Sequence, residues 1–435
     1  MTLLRDAAAV LENGPICEAC LGRPFADLSH GLTNEERGRG LRVAIALDAD
    51  DPIEAFEESE ACWICEGETA EFDAWAGKAV AAVEDLTFET YQVGTRLSPL
   101  IEENETLLRE LAGLPEDAGE RLGSEMNREV GKRVGRRTGT EVDFERPDVQ
   151  LLLEVESGTV DVTVNSAFVY GRYRKLERGI PQTEWPCREC NGTGTRGGEP
   201  CLYCDGTGYT YAESVEQLTA PPVRAAMDGR DATFHGAGRE DIDARMLGTG
   251  RPFVIEVDEP RDRFPDVEAL AAEINDFADG KVEVEGLRLA TYESVERVKR
   301  LPASKTYRAT VRFEGPITEP ELGTALEALD GETVEQETPS RVDHRRASKV
   351  RTRTVYDVEG ELDSPTEATI EIHGEGGLYV KELVSSDGGR TEPSLAGELG
   401  VDCHVTALDV LAVEGEEEPF EDEAYFREPP TTHNG

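Results

Sequence analysis

The sequence is poor in positive charge. Its 435 residues include 45 lysines and arginines against 91 aspartates and glutamates, a formal net charge of -46. Such a chain repels nucleic acids and anionic membranes in dilute buffer. The acidic residues are spread along the chain, and in about 1 M salt the Debye length falls to about 3 Å, which screens their mutual repulsion. We therefore expect a cytoplasmic protein adapted to high salt, as in a halophile; an ordinary protein with a very acidic surface is the alternative.

Long hydrophobic runs are also absent. A helix that crosses a membrane needs about 20 consecutive apolar residues, and no stretch approaches that length. The first residues, MTLLRDAAAVLENG, lack the apolar centre of a secretory signal. No glycine-rich nucleotide-binding motif follows a strand at the required spacing. These absences predict no membrane association and no organic cofactor.

Cysteines are few, but eight of the nine form Cys-x-x-Cys pairs. In a cytosolic protein such pairs indicate a metal rather than disulfides. The pairs predict two four-thiolate zinc sites, which are closed and therefore structural. The first would join the pairs of an amino-terminal unit at residues 1–75, and the second the pairs of an insertion at residues 180–212. The ligands would be Cys17, Cys20, Cys62 and Cys65 in the first site, and Cys187, Cys190, Cys201 and Cys204 in the second.

Each site has an alternative reading. The first two pairs are 41 residues apart, so they could be unrelated buried or redox-active thiols, which leaves one zinc ion or two. The later pairs lie in CRECNGTGTRGGEPCLYCDGTGY, where Cys-x-x-Cys-x-Gly-x-Gly occurs twice. Free thiols in glycine-rich turns are the alternative there. This repeat resembles the zinc repeats of J-domain co-chaperones over about 20 residues, which implies a zinc knuckle and not a chaperone. Cys403 stands alone and is expected to be buried.

Residues 76–179 read as an α/β domain, with helices at 99–111 and 115–137 and strands at 86–97, 149–155, 159–164 and 167–173. The second helix ends in NREVGKRVGRRTG, a basic cluster in an acidic chain. Two interpretations remain open: a face that contacts phosphates, or a helix C-terminus whose dipole favours cations. The candidate RNA-binding residues are Arg128, Lys132, Arg133 and Arg136.

Residues 213–414 form the largest domain. Strand-like runs at 231–235, 253–258, 281–285, 305–313, 350–358, 367–373 and 403–413 alternate with helical stretches at 265–278, 318–329 and 378–386. This order predicts an α+β domain with a mixed, largely antiparallel sheet. The segment PSRVDHRRASKVRTR is a second basic cluster, with RNA contact through Arg345 and Arg346 favoured over a solvated hairpin. Residues 415–435 are expected to be a mobile acidic tail.

One stretch in this domain, FHGAGREDIDARMLGTGRPF at 234–253, places acids and arginines in a glycine-rich loop between apolar runs. Such a loop can hold a carboxylate ionised beside a cation. An exposed turn with a salt bridge is the alternative.

Taken together, these segments resemble the archaeal and eukaryotic tRNA pseudouridine synthases that carry a THUMP domain and act on positions 54 and 55 of the TψC arm. The resemblance includes IPQTEWPC, SVEQL, AGREDIDARMLGTGRPF, KTYRATVRFEG, TPSRVDHRRASKVRTR and GLYVKELVSSDGGRTEPSLAGELG. It implies a pseudouridine-synthase catalytic domain preceded by the zinc-bearing unit and a THUMP-type RNA-binding domain. It further implies a tRNA partner, no DNA partner and a monomer.

The resemblance also implies site residues. Gly238 to Asp241 align with a Gly-Arg-Thr-Asp motif whose aspartate is catalytic, which gives that role to Asp241. Glu240 stands where the threonine is usual, and Asp243 lies close enough to be confused with the catalytic residue. Further implied residues are Tyr307 and Tyr379 against the base, Lys381 paired with the aspartate, and Arg239 facing the RNA.

The chemistry of uridine isomerisation fits these residues. The N1–C1′ bond is cut, the base turns, and C5 bonds to C1′, so no redox or metal step is needed. An ionised Asp241 can attack C1′ or remove a sugar proton, and the sequence leaves both routes open. The other hypotheses are a non-catalytic zinc-containing tRNA-binding or chaperone-like module, and an RNA methyltransferase, which would need the missing nucleotide loop.

Overall fold

The structure is a computed structural model that describes residues 3–50, 52, 62–340 and 349–429. The chain divides into two compact units, residues 1–165 and 166–435. In the part of the chain that the structure describes, no helix is long and apolar enough to span a membrane.

The first unit contains six helices and one four-stranded sheet among its described residues. Its strands run in the order β2-β1-β3-β4, with β1 parallel to both neighbours and β4 antiparallel to β3. The helices are α1 (Leu3–Leu11), α2 (Glu18–Gly22), α3 (Asn34–Ala49), α4 (Phe72–Ala81), α5 (Pro99–Leu111) and α6 (Leu122–Thr138). The strands are β1 (Thr90–Arg96), β2 (Glu141–Val142), β3 (Val149–Glu154) and β4 (Thr159–Val164).

The two amino-terminal segments expected as separate domains, 1–75 and 76–179, share a core. One apolar cluster runs from Ala7 on α1 through the first four cysteines to Leu153 on β3. The predicted helix at 115–137 begins later, at Leu122. Gly119 has φ +64°, and a side chain there would meet the carbonyl oxygen of Arg23 at 2.1 Å. The carboxylate of Glu105 instead accepts from Leu122 N at 3.0 Å and so caps the helix.

The second unit is built on a ten-stranded sheet. The order is β10-β5-β9-β16-β11-β14-β13-β12-β15, with β8 paired to β9. Within the described strands of this ten-stranded sheet, only the β9–β16 pairing is parallel, so the predicted mixed, largely antiparallel sheet is confirmed. Its strands are β5 (Ala167–Lys175), β8 (Asp231–Gly236), β9 (Arg245–Asp258), β10 (Val282–Ala290), β11 (Ala303–Phe313), β12 (Thr333–Glu337), β13 (Val350–Ser364), β14 (Glu367–Gly374), β15 (Thr391–Glu392) and β16 (Cys403–Gly415). Two further strands, β6 (Thr195–Arg196) and β7 (Glu199–Pro200), form a separate two-stranded sheet.

Helices cover this sheet and carry parts of the site. They are α7 (Val215–Ala226), α8 (Val267–Phe277), α9 (Glu293–Arg300), α10 (Glu319–Glu327), α11 (Val380–Ser385) and α12 (Leu395–Leu399). Two apolar clusters pack against them, one around β5, β9 and β10 and the other around β11, β13 and β14. Cys403 lies in the second cluster and is buried, as expected.

The strand β5 corrects the expected boundary at residue 179. The sequence places this strand in the THUMP-like segment at 76–179, and only two residues separate it from β4. It pairs instead with β9 and β10 of the large sheet. Its residues are buried at nearly every position, a pattern typical of a central strand covered on both faces.

The described part of the acidic tail, residues 415–429, differs from the expectation of a mobile segment. Phe420 is 2% exposed and belongs to the core around β5. Glu421 accepts from Arg172 Nε at 2.8 Å, and Glu423 pairs with Arg288 at 2.6 Å. Composition predicted mobility because acids dominate the segment, but two apolar side chains, Phe420 and Phe426, anchor it between arginines of the sheet.

We predict that Phe420→Ala lowers the free energy of unfolding by about 3–5 kcal/mol, because it empties a buried aromatic site. Denaturant unfolding in high salt measures this change. The control is Phe277→Ala at a side chain that is 52% exposed, for which we expect a change within about 0.5 kcal/mol. Equal, small effects of both substitutions would show that the tail is not part of the folded core.

Candidate active site

The loop between β8 and β9 occupies residues 237–244 and presents its acids in two directions. Asp241 and Asp243 point outward, with 50% and 77% of their side chains exposed. Glu240, between Arg239 and Asp241, points inward and is fully buried. The loop is closed by a bond from Ala244 N to the carbonyl oxygen of Asp241 at 3.0 Å. Neighbouring acids therefore have opposite environments.

Lys381 on α11 faces the outward acids. Its Nζ lies 3.2 Å from Oδ2 of Asp241 and 3.5 Å from Oδ2 of Asp243. The structure thus brings together the aspartate and the lysine that the sequence paired, and it leaves Asp243 in reach of the same ammonium. Arg239 is exposed at the edge and lines the same cleft.

The inward carboxylate of Glu240 is surrounded by donors. Arg251 Nε lies 3.0 Å from Oε2, and Lys175 Nζ lies 3.5 Å from Oε1. The Tyr173 hydroxyl donates to Oε2 at 2.9 Å. Burial, followed by the charge of Glu240, raises the pKa of Tyr173 well above its ordinary value. Burial lowers the pKa of Lys175, although Glu240 acts in the opposite direction. We call these four residues the buried ionic cluster.

The cations of the buried ionic cluster also hold the loop backbone. Lys175 Nζ donates to the carbonyl oxygens of Asp241 at 3.3 Å and Ile242 at 3.4 Å. Arg251 Nη1 donates to that of Ala237 at 2.8 Å. Because these contacts bracket Asp241 on both sides, the position of its carboxylate depends on side chains buried below the loop.

The exit of the loop is fixed by a second ionic contact. Asp409 on β16 accepts from Arg245 Nη2 at 2.7 Å and pairs with Arg178 Nη2 at 2.6 Å. Burial alone would raise the pKa of Asp409, but its bonds to Arg245 and the charge of Arg178 lower it below its ordinary value. Arg178 also donates to the carbonyl oxygen of Asp243 at 2.7 Å. These ion pairs of Asp409 therefore lie where the parallel pairing of β9 with β16 begins.

Two tyrosines border the same cleft. Tyr307 lies on β11, and burial raises its pKa to about 12, so it is a neutral phenol at neutral pH. Tyr379 precedes α11, and its backbone is held at both ends by Gln336. The Gln336 amide accepts from Tyr379 N at 2.8 Å and donates to its carbonyl oxygen at 3.0 Å. Since Lys381 lies two residues later, this contact also orients the helix that carries the lysine.

The cleft has a volume of about 830 Å³ and a cationic lining. This is large enough for a nucleoside, within the range of about 300–1,000 Å³ that small-molecule sites occupy. Its basic lining residues are Arg239, Arg251, Lys305, Arg351, Arg353 and Lys381, and its acids are Glu240, Asp241 and Asp243. In a chain of net charge -46, this excess of cations is a local exception.

The predicted RNA-binding residues lie elsewhere. Arg128, Lys132, Arg133 and Arg136 are on α6 of the first unit, where Glu129 pairs with Lys132 at 3.1 Å and with Arg133 at 2.9 Å. Arg128 pairs with Glu120 at 3.0 Å as well. Much of this charge is therefore balanced inside the unit. Arg345 and Arg346 lie outside the described residues.

The sequence reasoning missed Lys175, Arg251, Gln336 and the role of Glu240. One pattern could have found the first of these. Lys175 lies on the same inward face of β5 as Val169 and Tyr173. A lysine at an inward position needs a buried carboxylate as its partner. Nothing local in the sequence indicates that Gln336 would hold Tyr379, because the contact joins residues 43 positions apart.

Both cysteine groups form four-sulfur clusters. In each, the four Sγ atoms lie within 4.8 Å of one another, and all eight residues are buried. Three separations are 3.8 Å for Cys17–Cys65, 4.0 Å for Cys187–Cys201 and 3.8 Å for Cys190–Cys204. A tetrahedral zinc with Zn–S bonds of about 2.3 Å requires sulfurs about 3.8 Å apart. The residues therefore fit a zinc ion, and the sulfurs are too far apart for disulfides.

The surroundings of the two clusters differ. Near the first, the buried guanidinium of Arg23 lies 3.5 Å from Cys20 Sγ and pairs with Glu125 at 2.8 Å. The second cluster consists of its four cysteines alone. Its glycines allow the two turns to approach, since a side chain on Gly194 would meet the carbonyl oxygen of Gly206 at 2.4 Å. The insertion thus has four cysteine side chains in place of a larger apolar core.

Comparison with known proteins now adds to this geometry. A family model described as Pus10, C-terminal matches residues 168–414, and one described as Pus10 THUMP domain, archaeal matches residues 75–154. A Halorubrum lacusprofundi protein named tRNA pseudouridine synthase Pus10 is 62% identical over 428 residues, covering 98% of this chain and 100% of its own. A Methanothrix thermoacetophila protein of the same name is 44% identical over 439 residues, covering 95% of each chain.

Solved structures give only a distant similarity. A chain titled Crystal Structure of a Cbf5-Nop10-Gar1 Complex is 17% identical, covers 47% of this chain and 46% of its own, and has a TM-score of 0.29. The relatives and the family models decide between the hypotheses that the sequence left open, in favour of an enzyme over a non-catalytic module. Because the similarity extends over nearly the whole chain at 62% identity, the chain belongs to the Pus10 family of tRNA pseudouridine synthases and is an isomerase.

Proposed function

We propose that this chain converts uridine 54, uridine 55 or both in the TψC arm of tRNA to pseudouridine, with Asp241 as the catalytic carboxylate. The observation that carries the proposal is the contact of Asp241 Oδ2 with Lys381 Nζ at 3.2 Å, in a cleft that both tyrosines line. The ammonium stabilises the negative charge of the carboxylate, which either route of isomerisation requires. The tRNA substrate agrees with the printed names of the relatives.

The neighbouring side chains have roles that follow from their places. A uridine turned out of its stack needs an apolar face, and the ring of Tyr307 provides one in the cleft. Tyr379 lies at the start of α11, beside the lysine-bearing turn, and contacts the same nucleotide. Arg239 is exposed at the cleft edge and is proposed to face the RNA backbone.

Basic residues away from the cleft are proposed to set the register of the tRNA. Arg128, Lys132, Arg133 and Arg136 share α6, and the side chain of Lys132 is 52% exposed. In concentrated salt such phosphate contacts contribute little affinity, because counterions released into an already concentrated solution gain little entropy. They would therefore orient the substrate, while stacking and hydrogen bonds in the cleft supply most of the binding. Arg345 and Arg346 are proposed for the same role on sequence alone.

Both cysteine clusters are proposed to bind structural zinc, two ions per chain. The four thiolates of each site leave no open coordination position, so zinc has no part in the isomerisation. The supporting observation is that the sulfur separations of 3.8–4.0 Å match a tetrahedral ion in both places. The chain is further proposed to act as a monomer without an organic cofactor.

Replacement of the catalytic carboxylate tests the assignment of Asp241. We expect Asp241→Asn to lower the single-turnover rate constant by about 10³-fold or more, with tRNA affinity retained, because the amide can neither attack C1′ nor accept a proton. Mapping of pseudouridine on a tRNA transcript in high salt measures the rate and shows which position is modified.

The matched control is Asp243→Asn, which removes the second contact of the same ammonium. Because Asp243 is 77% exposed, we expect a change below about tenfold. If Asp243→Asn is the inactive variant and Asp241→Asn is active, the assignment of the two aspartates is reversed.

The zinc proposal predicts two zinc ions per chain by elemental analysis, and one after either pair of cysteines is replaced. Cys187→Ser with Cys190→Ser should unfold only the insertion, which then becomes sensitive to protease, because that segment has no other core. Cys17→Ser with Cys20→Ser should lower the melting temperature, because that cluster is part of the shared core. Two ions retained in either variant would contradict the assignment of that site.

A further inference from the structure

Lys305 is a cation in the cleft that the proposed mechanism does not yet use. It lies on β11, two residues before Tyr307, and both line the cleft with Asp241. Successive residues of a strand point to opposite faces, so these two side chains belong to the same face, about 7 Å apart along the strand. A pyrimidine ring stacked on Tyr307 therefore has an edge within reach of the Lys305 ammonium.

The charges around Lys305 make it available to an incoming anion. Two other cations of the cleft, Lys381 and Arg251, have carboxylate partners in Asp241 and Glu240. Among the residues that the structure describes, none places a carboxylate oxygen within 4.0 Å of Lys305 Nζ. Arg251 approaches the same place, because a Cβ atom added at Gly238 would lie 3.5 Å from Arg251 Nη1 and 3.8 Å from Lys305 Nζ.

The pKa of this lysine agrees with an unbalanced position. Burial, followed by the charge of Arg251, lowers the pKa of Lys305 to about 8, and the charges of Glu416 and Glu240 offset this only in part. An anion bound next to the ammonium would raise the pKa again. The ligand-free cleft therefore holds a positive potential that no residue of the described chain neutralises at close range.

The reaction supplies an anion at this place by either route. If Asp241 attacks C1′, a carboxylate O–C1′ bond forms, the N1–C1′ bond breaks, and its electron pair remains on the uracil. If Asp241 instead removes the C2′ proton, that C–H pair becomes the C1′=C2′ bond, and the N1–C1′ pair again remains on the uracil. In both cases the base leaves as an anion whose charge is shared by N1 and the two carbonyl oxygens. In the first route, formation of the C5–C1′ bond breaks the bond between C1′ and the Asp241 oxygen. In the second route, Asp241 returns its proton to C2′ as C5 bonds to C1′. Loss of the C5 proton and protonation of N1 then complete the isomerisation by either route.

We infer that Lys305 is a further catalytic residue, whose ammonium stabilises the uracil anion while the base is detached from the ribose. The inference rests on the proposed function, but it does not depend on which route Asp241 follows. A fixed cation aimed at charge that appears only in the transition state accelerates the step more than it strengthens binding. A contact with a backbone phosphate is the other use of a cation, and it would act on affinity instead.

The test is a comparison of Lys305→Met and Lys305→Arg in single-turnover assays on a tRNA transcript, with affinity measured separately. We expect Lys305→Met to lower the rate constant by roughly 10²-fold, the cost of removing one such donor, with affinity unchanged within about threefold. Lys305→Arg should recover most of the rate, because the guanidinium keeps the charge. Lys299→Met, at an exposed lysine on α9, is the matched control and should leave the rate unchanged.

The pH profile separates a charge effect from a structural one. The unaltered enzyme should lose rate as the pH rises above the pKa of Lys305, because the ammonium then loses its proton; this pKa is about 8 in the ligand-free cleft and is raised by a bound anion. Lys305→Arg should abolish this loss, and Lys305→Met should have a flat profile over the same range.

A second readout uses 5-fluorouridine at the target position. Fluorine withdraws electrons and stabilises the detached anion, so the deficit of Lys305→Met in consuming the target nucleoside should shrink.

The outcomes are distinguishable from those of the proposed function. A defect of Lys305→Met confined to affinity would assign the lysine to a phosphate and overturn the inference. A full rate in Lys305→Met, or an unchanged high-pH loss in Lys305→Arg, would overturn it as well. Full activity of Asp241→Asn would instead refute the catalytic aspartate, whatever the Lys305 variants do.

Discussion

The buried ionic cluster around Glu240 is the interaction on which the active site depends. An ion transferred from water to the protein interior loses several kcal/mol of solvation, so a lone Glu240, Arg251 or Lys175 would not be tolerated there. Each is buried because the others balance it, at separations of 3.0 Å and 3.5 Å. The same cations donate to the carbonyl oxygens of residues 237, 241 and 242. One set of contacts therefore satisfies the buried charges and fixes the loop that carries Asp241.

This arrangement suits a protein whose surface is overwhelmingly acidic. Exposed charges more than a Debye length apart hardly interact in concentrated salt, whereas buried pairs are screened much less. The contacts of α6 are partly exposed, whereas the buried ionic cluster lies inside the protein and Lys305 is half-buried. The electrostatics that position and polarise the substrate can thus persist under conditions in which the net charge of -46 has little effect at long range.

Much of the architecture was predictable from local patterns. Alternation of apolar residues located β11, β14 and β16 within two residues of their observed bounds, and the Cys-x-x-Cys spacing located both sulfur clusters. The pairing of Lys381 with Asp241 followed from the resemblance of two motifs 140 positions apart and not from any local pattern. The catalytic roles of these residues remain proposals that the geometry supports.

The remainder depended on long-range packing that local sequence does not encode. The strand β5 looks like part of a hairpin with β4, yet its partners come from residues 245–258 and 282–290. The tail at 415–429 has the composition of a mobile segment, and only Phe420 and its neighbours oppose that tendency. Glu240 and Asp241 are adjacent acids in the sequence. Which of them is buried is decided by cations on β5 and β9.

A double-mutant cycle on Glu240→Gln and Lys175→Met tests most directly whether the buried ionic cluster positions Asp241. Glutamine removes the charge but retains an acceptor for Tyr173, and methionine removes the ammonium that holds the Asp241 carbonyl oxygen. We predict that each single variant lowers the single-turnover rate by up to about 10²-fold with tRNA affinity retained, because the carboxylate shifts within the cleft. The two losses should also be coupled by about 1–3 kcal/mol, as expected for residues in one ionic network. Unchanged rates in both single variants, or losses that simply multiply in the double variant, would contradict the account.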